Sequence, residues 1–187
     1  VASSISALDA DKKAFACDPT SAFGGIISFN TEIDEGVASF MIENQFIEVI
    51  AAPNYSLEAL KVLTKKKNLR VLKIDNLKTM SLGVKLHTVN SGLLVQSIDN
   101  GSITSDDLKI VSKKIPNEEE IRNSLFAWSV CKYVKSNAII YAKDNKTLGI
   151  GAGQMSRIDS AEIAVKKAKI AGFSLEGACM ASDAFFP

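Results

Sequence analysis

Short apolar runs rich in β-branched residues recur along this chain between longer stretches of helical periodicity. Runs of that length are buried strands, and a strand followed by a helix must return to its sheet by a crossover rather than by a hairpin. The pattern therefore predicts an α/β fold, a largely parallel or mixed sheet covered by helices. Strands are expected over 26–29, 46–51, 69–74, 138–141, 147–150 and 178–181. A helix over 6–17 ends at Asp18-Pro19, because the residue before a proline is driven out of the α region. Asp34 and Ser56 are placed to cap helices reaching 44 and 66. Asn117 with Glu120 makes a capping box ahead of a helix to 134, with Ile121, Leu125 and Trp128 on one face. A last helix over 159–171 is closed by Gly172. Between 75 and 112 the period shortens, and strands over 84–89, 93–96 and 108–112 are expected between the turns Asn90-Ser91-Gly92 and Asp99-Asn100-Gly101. A hairpin is expected around Asp144-Asn145-Lys146.

At 187 residues the chain can bury a real core without staples. Its 22 Lys+Arg balance 21 Asp+Glu, which gives no general attraction for nucleic acid or an anionic membrane. The basic run Lys65-Lys66-Lys67 reads as a solvated helix end. Three scattered cysteines, Cys17, Cys131 and Cys179, form no disulfide framework and point to a reducing, cytoplasmic setting. No apolar stretch approaches the ~20 residues that a membrane-spanning helix needs.

Three segments suggest chemistry. Gly149-Ile150-Gly151-Ala152-Gly153 precedes Gln154-Met155-Ser156-Arg157, and such a turn either cradles an anion, with Arg157 as its partner, or simply needs positive φ between strand and helix. The dinucleotide fingerprint fails at Gln154. Ser136-Asn137 stands before a strand, where Asn137 either caps or presents two donors and an acceptor to a ligand. Ser182-Asp183-Ala184-Phe185-Phe186-Pro187 follows the last strand, so its phenylalanines either stack on a planar ring or plug the core. Glu48 is an acid within an apolar strand, either turned to solvent or paired. The single histidine, His87, occupies an ordinary exposed strand position, and no zinc deaminase signature is present. No metal site is expected.

Several segments, taken together and in order, resemble the AICAR transformylase part of the bifunctional purine biosynthesis family, whose other half is IMP cyclohydrolase. They are Cys17-Asp18-Pro19-Thr20-Ser21-Ala22-Phe23-Gly24-Gly25-Ile26-Ile27, Phe46-Ile47-Glu48-Val49-Ile50-Ala51-Ala52-Pro53, Lys65-Lys66-Lys67-Asn68-Leu69-Arg70, Gly92-Leu93-Leu94-Val95-Gln96, Lys135-Ser136-Asn137-Ala138, the Gly149 to Arg157 stretch, and the closing Ser182 to Pro187. The resemblance implies a cytidine deaminase-like three-layer α/β/α architecture with a mixed sheet and no zinc. Residues 1–75 would be the remainder of one lobe, and 76–187 an inter-lobe β region with part of a second. The implied reaction moves the formyl group of 10-formyltetrahydrofolate to the 5-amino group of AICAR.

By position, Asn137 resembles the catalytic asparagine that orients amine and formyl group. Gly24, Glu48, Arg157 and Phe185 resemble contacts to AICAR, and Ile158, Phe23 and Pro187 contacts to the folate. The family's Lys-His pair has no counterpart here, so the resemblance implies an internal segment that is inactive alone and, in the intact protein, a homodimer. A non-catalytic nucleotide-binding module and a structural or dimerisation domain are the rival readings.

Overall fold

The computed structural model describes residues 1–75 and 83–185. Its first part alternates strictly. Helix α1 (Ala7–Cys17) is capped by Ser6, whose side chain accepts from the Asp9 N–H. Strand β1 (Gly25–Ser28) leads to α2 (Glu35–Asn44), capped by Asp34, then β2 (Ile47–Ala52), α3 (Leu57–Leu63), capped by Ser56, and β3 (Arg70–Lys73). These strands pair in parallel in the order β1-β2-β3. Val37, Ala38 and Met41 of α2, Ala59 and Leu63 of α3 and Ile47, Ile50 and Ala52 of β2 make one core around the buried Ile33.

Strands β4 (Val84–Val89) and β5 (Gly92–Ser97) form a separate antiparallel hairpin, exposed at every residue. The strand expected over 108–112 does not form. That stretch has no partner ladder, and a strand without a neighbour leaves its backbone groups to water. Only a single 3₁₀ turn (Ser105–Asp107) lies between β5 and the next helix.

Helix α4 (Glu118–Cys131) opens with the predicted capping box, Asn117 accepting from the Glu120 N–H and Glu120 from the Asn117 N–H. Its buried stripe is Asn123, Ala127, Val130 and Cys131 rather than the face of Ile121 and Leu125. The buried Asn123 accepts from the Asn145 N–H and so ties the helix to the turn between β6 (Ile139–Lys143) and β7 (Lys146–Gly151). Asp144 and Asn145 both have positive φ there, the two-residue hairpin geometry that suits the strand twist. Helix α5 (Arg157–Ile170) begins two residues earlier than expected, because Ser156 rather than a later residue accepts from the Asp159 N–H as its cap. Strand β8 (Cys179–Ser182) completes an antiparallel sheet in the order β7-β6-β8. The fold is thus α/β with both parallel and antiparallel sheets.

Around the second sheet the layers are helix, sheet, helix. Ala138, Ile140, Ala142 and Ala181 meet Ala127, Val130 and Cys131 of α4 on one face. On the other, Gly149 and Gly151 of β7 lie directly under α5: a Cβ on Gly151 would sit 1.8 Å from the Ser160 carbonyl oxygen, and one on Gly149 2.1 Å from that of Ala164. The two glycines of the Gly-rich stretch therefore serve close helix-to-strand approach. Gly153 alone of the three in that stretch has positive φ, +66°. Helix α1 packs against β7 beside α5, with the Thr147 hydroxyl donating to the Cys17 sulfur over 3.3 Å and Lys167 of α5 paired with Asp18 over 2.6 Å. No helix among the described residues is long and apolar enough to cross a membrane.

Candidate functional site

Register alone assembles the site. Ile139, the first residue of β6, pairs with Gly151 at the end of β7 and with Ser182 at the end of β8. The residues before β6, after β7 and after β8 must then meet at one edge of the sheet. There the N-terminus of α5 begins.

Asn137 occupies the centre of that edge. Its side-chain Nδ2 donates to the carbonyl oxygens of Gln154 at 2.9 Å and Met155 at 3.1 Å, and its Oδ1 accepts from Arg157 Nη2 at 2.9 Å. Its backbone carbonyl accepts from the Ser160 hydroxyl at 2.7 Å, and the Ser136–Asn137 peptide is cis. Asn137 caps no helix. The partners leave one orientation of the amide, since carbonyls only accept and guanidinium only donates.

Arg157, the first residue of α5, reaches across the same edge. Its Nη1 donates to the Ser182 hydroxyl at 2.8 Å and to the Asp183 carboxylate at 2.5 Å. The two side chains are only 12% and 20% exposed. Asp183 also accepts the Ala138 N–H at 2.9 Å. Burial alone would raise the Asp183 carboxyl, but the Ser136 side chain, the Ala138 N–H and Arg157 outweigh it and hold the group at about 2. Burial first, and then the negative charge of Asp183, push the nearby Cys131 thiol up, so it stays protonated.

Two recesses adjoin the cluster. One, of about 510 Å³, has Trp128, Cys131, Lys132, Ser136, Ser182 and Asp183 on its wall. The other, about 520 Å³, runs along the outer face of α5 from Arg157 and Ile158 to Ile170. Ile158 and Phe185 stand out into solvent, 69% and 82% exposed. Phe185 plugs no core.

Gly24, Phe23 and Glu48 belong to the other sheet. Gly24, at φ +71°, turns the chain into β1, and its N–H donates to the Phe46 carbonyl at 2.8 Å. Phe23 stacks on Phe46 with ring centroids 4.7 Å apart. Glu48 is exposed on β2, its carboxylate 3.5 Å from where a Cβ on Gly24 would stand, and it lines a recess of about 440 Å³ with Lys66, Lys67 and Arg70. The structure thus gathers Asn137 and Arg157 into one cluster and Gly24, Phe23 and Glu48 into another. Pro187 lies outside the described residues. Among those described, no group of three or more His, Cys, Asp and Glu side chains is placed to hold a metal ion.

Motif reading includes Asp183 and Ser136 in its segments without giving either a role, and Ser160 lies outside those segments. Their signal is positional: each is a short polar residue at or just beyond a strand end, or in the first turn of α5.

These features define an α/β protein with a preorganised polar cluster where strand ends meet a helix N-terminus. Residues 1–167 match the model of the AICARFT/IMPCHase bienzyme family, and the chain belongs to that family. That places it among the enzymes of purine biosynthesis. Asn137, Arg157, Ile158, Gly24, Phe23 and Glu48 fall within the matched span, whereas Asp183, Phe185 and Pro187 fall beyond it.

Proposed function

We propose that this chain is the part of a folate-dependent formyltransferase that orients the reactants for transfer from 10-formyltetrahydrofolate to the 5-amino group of AICAR. The carrying observation is the clamp on Asn137. Both Nδ2 hydrogens are engaged by backbone carbonyls, and Oδ1 accepts once, from Arg157. One lone pair on Oδ1 remains for an N–H of the acceptor amine. A fixed acceptor at that point raises effective molarity by aligning a poor nucleophile with its electrophile. In the reaction the amine nitrogen bonds to the formyl carbon and the carbonyl becomes an oxyanion. Collapse then breaks the bond to N10 of the folate, which takes up a proton as the amine loses one.

Arg157 keeps two of its five N–H donors free beyond Asn137, Ser182 and Asp183, enough for a contact to AICAR. Phe185 offers a face for the imidazole, with Gly24 and Glu48 as the further AICAR contacts. Ile158, Phe23 and Pro187 supply apolar surface for the folate. The intact protein acts as a cytoplasmic homodimer, with IMP cyclohydrolase as its companion activity. The 187 residues alone are inactive, because their single histidine, His87, sits on the exposed β4 and no Lys-His pair is among them.

A simple phosphate-binding module is disfavoured by the same geometry. The Arg157 charge is already met by Asp183, and Gly149 and Gly151 face α5. The test is Asn137→Ala in the intact protein, for which kcat should fall about 10²-fold. An unchanged kcat removes Asn137 from the reaction.

A further inference from the structure

Nothing in the proposed reaction yet accounts for Asp183, although it is the most heavily bonded carboxylate of the cluster. Its oxygen Oδ1 accepts from Arg157 Nη1 at 2.5 Å and from the Ala138 N–H at 2.9 Å. Arg157 Nη2 then donates to Asn137 Oδ1 at 2.9 Å, and Ala138 is the next residue after Asn137. The four links close a ring: Asn137 side chain, Arg157, Asp183, and the backbone back to Asn137. Its members come from the segment before β6, the first residue of α5 and the residue after β8. The Gln154 and Met155 carbonyls hold Nδ2 of Asn137, and the ring is what holds its Oδ1.

The ring also explains why an arginine stands there. A guanidinium offers parallel donors on two nitrogens, so one side can grip a carboxylate while the other grips an amide oxygen. With Asp183 in place, the arginine is both neutralised and aimed. Without it, nothing on the Nη1 side but the Ser182 hydroxyl would hold the fork, and the nearest free anion could claim it.

We propose that Asp183 is a positioning residue for formyl transfer, acting through Arg157 to hold the side-chain carbonyl of Asn137 toward the acceptor amine. This rests on the function proposed above, and the test separates the two. In the intact enzyme, Asp183→Asn keeps the side-chain size but loses the charge that grips Arg157. It should lower kcat at least about 10-fold while shifting KM for AICAR no more than about 3-fold, the mark of lost alignment rather than lost binding. Asp183→Glu, which retains a carboxylate, should recover a good part of the loss.

A second readout needs no turnover. The Asn137 side-chain NH₂ signals, identified by their absence from the Asn137→Ala spectrum, should exchange with solvent at least about 10-fold faster in Asp183→Asn. If Asp183→Asn does not fold, Arg157→Lys reports on the same link. A single ammonium cannot bridge Asp183 and Asn137 as a fork does, and the same drop in kcat and faster exchange are expected. An Asp183→Asn enzyme with wild-type kcat, or with unchanged Asn137 exchange, overturns the proposal, as does a lower Tm with undiminished turnover per folded molecule. A wild-type enzyme without formyl transfer defeats the functional reading, and the exchange experiment still decides the ring.

Discussion

Asp183 carries its charge in a place where burial works against it, and it keeps that charge only through donors that unfolding removes. Its folded carboxyl is held near 2, below the usual carboxylate value of 3.8. Linkage then fixes the sign. A depressed folded pKa contributes stability that is fully present above the unfolded value and is lost as pH falls through the folded one. The contribution of Asp183 should therefore be intact at pH 5 and disappear between about pH 4 and pH 2. Urea unfolding midpoints of wild type and Asp183→Asn, followed from pH 5 downward, should converge as the acid limit is approached. A constant gap across that range would mean that the carboxylate is not what its donors stabilise. Sequence reasoning names Asn137 and Arg157 from their local segments and again through resemblance, and leaves open whether Asn137 caps a helix or faces a ligand. It does not show the ring, because Asp183 is 26 residues from Arg157 along the chain and only the pairing of β6 with both β7 and β8 makes them neighbours.

Element boundaries were legible where a side chain closes its own helix. Asp34, Ser56 and Asn117 each accept an N–H three residues on, as local sequence predicts, whereas Ser6, expected as the first helical residue, is the cap of α1. The strand over 108–112 shows the limit, since apolar pattern marks what could pair but not whether a partner stands beside it. The Gly149 to Gly153 stretch shows another. Local reading offered an anion cradle or a positive-φ turn, and two of the three glycines answer instead to α5 lying on β7. Gly151→Ala forces a methyl to 1.8 Å from the Ser160 carbonyl oxygen, and that backbone cannot move without lifting α5. The expected cost is about 3 kcal/mol or more, toward the upper range for overpacking. Because Arg157 and Ser160 ride on the same helix, the variant should also lose Asn137 alignment. Chemical denaturation gives the stability, and a cost below about 1 kcal/mol would show that α5 yields easily.

Across the whole molecule the parallel and antiparallel sheets are not independent halves. Helix α1 precedes the first sheet but packs on β7 of the second, and Lys167 of α5 reaches Asp18 at its end. Among the described residues, no ion pair or side-chain hydrogen bond anchors the hairpin β4–β5 in this way. Every residue in both strands is exposed, and Val84, Leu86, Leu93 and Val95 line one apolar face by their register. Two strands alone are marginal in water, whereas Ile50 and Ile140 sit at zero exposure within the two cores. Opening of the hairpin should cost little, while opening at Ile50 or Ile140 requires a core to come apart. Amide hydrogen exchange on dilute protein should find the 84–97 amides exchanging at least about 10²-fold faster than those of Ile50 and Ile140, with the last two moving together. Slow exchange in the hairpin would mean that its apolar face is covered in solution. Widely different rates at Ile50 and Ile140 would mean that α1 and the Lys167 pair do not couple the sheets.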